Sequence, residues 1–65
     1  MSLNLTPNID APDSFYQALI AAHEGMSEEE SHAYNARLIL VLANHIGDET
    51  TLREALAAAN VKGTQ

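Results

Sequence analysis

Three histidines and one asparagine are the side chains of this sequence best suited to bind a metal or a ligand. They are His23, His32, His45 and Asn35. Imidazole nitrogens coordinate metals such as zinc, and a side-chain amide both donates and accepts hydrogen bonds. Because His23 and His32 flank a short predicted turn, they form, together with Asn35, a candidate ligand site.

A metal at this site would need a further ligand, which Glu24 or Glu28 could supply. Helical zinc motifs usually carry two histidines one turn apart on one helix, and no such pair exists here. Histidines of this kind also occur in cores and interfaces, bonded to backbone or side-chain partners. The sequence leaves the ligand role and the structural role open, and we expect no bound metal or cofactor.

His45 lies near the end of a predicted helix, where its cation would suit the helix C-terminus and could pair with Asp48. Asp48 is equally well placed to cap the next helix. No serine or lysine has an obvious base beside it, and there is no glycine-rich phosphate loop. A chain this short also has little means of keeping water from a reacting centre. We therefore expect no catalytic residue and no enzyme activity.

The acidic run from Ser27 to Glu30 could be a cation site or the start of a helix. A serine followed three residues later by a glutamate is the pattern of a capping box, in which each side chain bonds the other residue's backbone amide. Three carboxylates in the first turn also suit the positive end of the helix dipole. The pattern therefore favours a helix that begins at Glu28.

The charge balance excludes several classes of partner. Nine acidic residues against three basic ones give a net charge of −6, so we expect neither nucleic acid nor an anionic membrane as a partner. The longest apolar run, residues 38–43, is too short to span a bilayer. There is no cysteine, and the N-terminus lacks the basic and then apolar pattern of a secretion signal. These features predict a soluble, cytoplasmic protein.

The pattern of caps, glycines and apolar spacing predicts an all-α fold with three helices, a helical hairpin followed by a short third helix. We expect an extended arm over residues 1–9, one helical domain over 10–60, and a tail over 61–65. The helices are predicted near Asp10–Glu24, Glu28–Ile46 and Glu49–Ala59. Asp10 or Asp13 would cap the first helix, and Gly25 would end it. A left-handed Asn60, with Val61 folded back, would end the third.

The second helix is apolar around roughly 200° of its circumference, about twice what one supporting surface needs. Its two short neighbours cannot cover so wide an arc, and a chain of 65 residues is marginal as a monomer. We therefore expect a homodimeric helical bundle, in which Asn35 fixes the alignment of the two copies. The candidate interface residues are Tyr34, Asn35, Leu38, Leu42, His45 and Ile46.

Two segments of the sequence are distinctive: Asn35-Ala36-Arg37 and Asn44-His45-Ile46-Gly47-Asp48. With them, residues 13–59 resemble one of the short bacterial families of unknown function, whose members are small helical proteins. The resemblance implies no catalytic residue and, at most, an accessory role.

Two functions follow as hypotheses. The first is a homodimeric module for protein–protein interaction, which could bind a further protein partner. The alternative is a small-molecule or metal-binding accessory subunit of a metabolic enzyme, using His23, His32 and Asn35.

Overall fold

The computed structural model describes residues 2–60, so the predicted tail over 61–65 lies outside the described residues. It contains three helices: α1 (Pro12–Ala22), α2 (Glu28–Ile46) and α3 (Glu49–Ala59). No residue between 2 and 60 belongs to a strand. The all-α, three-helix prediction is confirmed, and α2 and α3 have the predicted bounds.

Helix α1 is two residues shorter at each end than predicted, and the predicted aspartate cap was wrong. The residue before the helix is Ala11, which makes no side-chain cap bond, and Pro12 occupies the first helical position. Proline suits that position because its missing N–H would be unpaired there in any case, and this places Asp13 inside the first turn rather than before it. The helix ends at Ala22, where the His23 N–H donates to the Ile20 carbonyl and tightens the last turn.

The turn after α1 still uses Gly25 as predicted, with a left-handed φ of 81°. α2 then begins with the predicted capping box. The Glu30 N–H donates to the Ser27 hydroxyl at 3.1 Å, and the Ser27 N–H donates to the Glu30 carboxylate at 2.9 Å. Gly47 ends α2 in a left-handed conformation, with a φ of 75°. These contacts fix both ends of α2 locally.

The two ends of α3 compare differently with the prediction. Asp48 caps the start as expected, because its carboxylate accepts from the Thr51 N–H at 2.9 Å. The predicted left-handed Asn60 was wrong, since its φ of −84° and ψ of 85° lie outside the left-handed region. Asparagine pays a steric penalty in the left-handed region that glycine avoids. Val61, the other half of that prediction, lies outside the described residues.

The N-terminal arm is neither helical nor a strand between residues 2 and 11. Its first part contacts α3, where the Leu3 N–H donates to the Glu54 carboxylate at 3.2 Å and Leu3 is half-buried. Leu5 and Ile9 are exposed. The first residues of the arm therefore contact the middle of α3, whereas the apolar side chains further along the arm are exposed.

The described part of the chain has no buried hydrophobic residue, and Thr51, 4% exposed, is its one buried side chain. The accessible surface of 5745 Å² exceeds by about 1,700 Å² the roughly 4,000 Å² that scaling gives for 7.0 kDa. The radius of gyration is 13.7 Å, against about 11 Å for a compact domain of this length. The three helices form an open arrangement rather than a closed core.

Candidate functional site

His23 joins the end of α1 to α2 through both of its ring nitrogens. Nδ1 lies 2.9 Å from the Leu19 carbonyl oxygen, and Nε2 lies 2.9 Å from Oδ1 of Asn35. The edge of one ring meets the face of the other between His23 and Tyr34, with 4.9 Å between ring centroids and 77° between planes. Such an arrangement is favourable for aromatic pairs. We call His23, Tyr34 and Asn35 the histidine clasp.

The clasp favours the charged form of histidine. Both neighbours of the ring are oxygen acceptors, and only the imidazolium carries a proton on both nitrogens. Accordingly, the hydrogen bond to the Leu19 carbonyl, followed by that to Asn35, raises the pKa of His23 above 6.5, while partial burial opposes this. His23 is half-buried and Asn35 is exposed.

The predicted ligand residues are only partly brought together. His23 and Asn35 are hydrogen-bonded, so each already has a partner within the chain. His32 is exposed on α2, and the described residues contain no group of three His, Cys, Asp or Glu side chains that could hold a metal ion. Asn35 was expected in an apolar arc between two copies. Within its own chain, its Oδ1 lies in hydrogen-bond contact with His23, and its role between two copies stays a prediction.

At the opposite end of α2, His45 is exposed in the last turn. The Asp48 carboxylate accepts from both the hydroxyl and the backbone N–H of Thr51, at 2.5 Å and 2.9 Å. These two bonds, the hydroxyl first, lower the pKa of Asp48 below 3.8. Asp48 therefore serves as a helix cap here, and Thr51 is its partner.

Two apolar grooves run along α2, one on each side of Leu42. The first lies between α1 and α2 and has a volume of about 190 Å³. The second lies between α2 and α3 and has a volume of about 430 Å³; we call it the aliphatic groove. It is lined by Ile39, Leu42, Ala43, Ile46, Leu52, Ala55, Leu56 and Ala59.

The two grooves divide the candidate interface residues. Tyr34 and Leu38 line the smaller groove against α1, Ile46 lines the aliphatic groove, and Leu42 lines both. Asn35 belongs to the histidine clasp. His45 lines neither groove. One arc of α2 thus serves two neighbours, and neither neighbour covers it completely.

The prediction of the interface omitted the α3 side of the aliphatic groove. Leu52 and Leu56, with the alanines between and after them, form one face of α3 at a spacing of three and four residues. That periodicity was visible in the sequence. The direction in which this face points relative to α2 depends on the turn at Gly47, which the periodicity does not specify.

No helix among the described residues is long and apolar enough to cross a membrane.

The fold and the grooves define a class of protein: a small all-α chain whose helices leave their apolar faces open. The chain belongs to the family described as Protein of unknown function (DUF2783), whose model matches residues 3–61. This confirms the expected membership of a short family of unknown function. Neither a curated protein nor a solved structure matches the chain.

Proposed function

We propose that this protein is a non-enzymatic, homodimeric helical module that acts by binding protein surfaces, beginning with its own second copy. The observation that carries the proposal is that no hydrophobic side chain between residues 2 and 60 is buried. Burial of apolar surface is the main favourable term in folding. The apolar side chains of this chain are at most half-buried, so a partner would add to this favourable term.

The amount of uncovered surface fits a dimer. The excess of about 1,700 Å² per chain would give an interface of about 3,400 Å² in total, and obligate homodimers bury about 2,000–5,000 Å². If half of the excess belonged to the extended arm, the rest would still supply a standard interface of about 1,600 Å². A second copy could thus bury the excess accessible surface.

Two observations favour binding of proteins over the alternative functions. The aliphatic groove is lined by Ala, Leu and Ile alone, whereas small-molecule sites add a few polar groups that orient the ligand. Both ring nitrogens of His23 are already hydrogen-bonded within the chain, to Leu19 on α1 and to Asn35 on α2, and are thus engaged in holding α1 against α2.

We place the module in the cytoplasm, where disulfides are rare, since the cysteine-free chain relies on none.

Sedimentation equilibrium and thermal unfolding over a hundredfold range of protein concentration test the proposal. We expect a dimer mass and a Tm that rises with concentration, because folding and association are linked. Parallel runs with zinc and with a chelator separate the metal-binding alternative, which requires assembly or stability to depend on zinc. A monomer mass with a constant Tm contradicts the dimer, and the apolar faces would then belong to a different protein partner.

A further inference from the structure

Resting on the proposed dimer, we infer that the aliphatic groove between α2 and α3 is its contact surface, and that each groove packs against the same groove of the second copy. Three features of the groove carry this inference: its chemistry, the helix face on its rim, and its relation to the rest of the chain.

The chemistry of the groove suits two copies of an acidic chain. Each copy carries a net charge of −6, so two copies repel each other wherever carboxylates meet. All eight residues that line the groove are uncharged and aliphatic. Burying these eight side chains against their own counterparts places no carboxylate and no polar side chain among them.

The shape of the groove suits a helix pair. Leu56 lines it yet is 71% exposed, so this side chain stands at the rim and has little cover from its own chain. The same groove is lined by three small residues, Ala43, Ala55 and Ala59. A protruding leucine with small neighbours can enter the groove of the second copy while accepting the same residue in return. A twofold axis relates the two insertions.

The described residues outside the groove leave it open. The N-terminal arm bonds α3 at Glu54, which does not line the groove. The smaller groove has less room, about 190 Å³, and the histidine clasp joins α1 to α2 beside it. The aliphatic groove, at about 430 Å³, is the larger opening available to a second copy.

Thiol protection tests the assignment, because the chain has no cysteine of its own. Three single variants place one cysteine in each region: Ala55→Cys in the aliphatic groove, Ala18→Cys in the smaller groove, and Ala57→Cys on the exposed side of α3. Cysteine is a small apolar residue, so each substitution is mild. The rate of reaction with a maleimide is measured at protein concentrations above and below the dissociation constant of the dimer. Sedimentation of each variant reports its mass.

We expect Ala55→Cys to react about fivefold more slowly at a total concentration about ten times the dissociation constant than in dilute solution, because about a fifth of the chains are then monomeric. Ala18→Cys and Ala57→Cys should react at rates that do not depend on concentration. A dimer in which Ala55→Cys shows no such dependence, or in which Ala18→Cys is protected instead, overturns the groove assignment and leaves the dimer standing. A monomer at every concentration overturns the proposed dimer, and the assignment with it.

Discussion

At the scale of single residues, His23 couples the packing of α1 on α2 to pH. Its folded pKa is raised above 6.5 because Leu19 and Asn35 accept hydrogen bonds from the ring. A raised pKa means that the folded state binds the proton more tightly than the unfolded state does. The resulting stabilisation is fully present below about pH 6.5 and is lost as the pH rises through the higher folded value.

Replacing Asn35 by alanine should lower the pKa of His23 and reduce the loss of stability across that pH window. The reason is that the Nε2 proton loses its acceptor, so the charged ring is less favoured. An NMR titration of His23, with denaturant unfolding at several pH values, measures both effects. Asn44→Ala is the matched control, since Asn44 is an exposed asparagine on the same helix. Equal titration of the two variants would contradict the clasp.

Removing the Ser27 hydroxyl should destabilise the fold by roughly 1 kcal/mol, the usual cost of losing an N-cap side chain. The affected bond is the one that the Glu30 N–H donates to Ser27. Denaturant unfolding of Ser27→Ala measures the change, with the exposed Ser14→Ala in the first turn of α1 as control. If the two variants are equally stable, the capping box contributes nothing in solution.

At the scale of helices, local signals predicted α2 and α3 and were insufficient for α1. Ser27, Gly47 and Asp48 act through bonds to residues three or four positions away, so the sequence pattern contains their complete mechanism. The end of α1 is different, because His23 leaves the helix to bond Asn35, twelve residues further along. Gly25 still supplies the left-handed turn after α1, but no spacing rule reveals the contact between helices that His23 makes.

The clasp also explains why the partner of Asn35 could not be predicted from the sequence. The helical period correctly places this residue beside Leu38 and Leu42, but it cannot show which neighbour supplies the partner. Likewise, the apolar face of α3 was predictable as a stripe, whereas its position across from Ile39 and Ile46 follows from the turn at Gly47. The apolar face of a helix follows from its local sequence, whereas the helix that it packs against is set by the rest of the fold.

Truncation of two leucines on α2 should show which side of this helix is buried in the dimer. Leu42 lines both grooves, and Leu40 lines neither. In the single chain Leu42 is 51% exposed, and Leu40 is 70% exposed. Loss of a side chain that is only half-buried should cost about 1 kcal/mol, whereas a leucine buried in an assembled groove costs about 2–5 kcal/mol. We expect the larger value for Leu42→Ala in the dimer and a change below about 1 kcal/mol for Leu40→Ala.

Unfolding of both variants at one high protein concentration measures this difference. The two substitutions remove the same atoms from the same helix, so helix propensity cancels between them. If Leu40→Ala proved to be the more damaging change, the contact surface would lie on the opposite side of α2 from both grooves.

At the scale of the whole molecule, assembly and charge oppose each other. The apolar helix faces favour association, and a net charge of −6 on each copy resists it. With about 20 Å between centres, the screened repulsion should fall by on the order of 1 kcal/mol between 50 and 500 mM salt. The dimer should therefore tighten roughly five- to tenfold over that range, whereas binding to a basic partner would weaken.

Sedimentation equilibrium at several salt concentrations measures this dependence. Salt also strengthens apolar association directly, so a second chain is needed to isolate the charge effect. Glu24→Gln combined with Glu29→Gln removes two exposed carboxylates that do not line the aliphatic groove. Because repulsion scales with the product of the two net charges, the variant should dimerise more tightly at low salt and respond less to added salt. Identical salt dependence in the two chains would mean that charge repulsion does not limit assembly. The absence of charge in the groove lining would then no longer favour the groove as the contact surface.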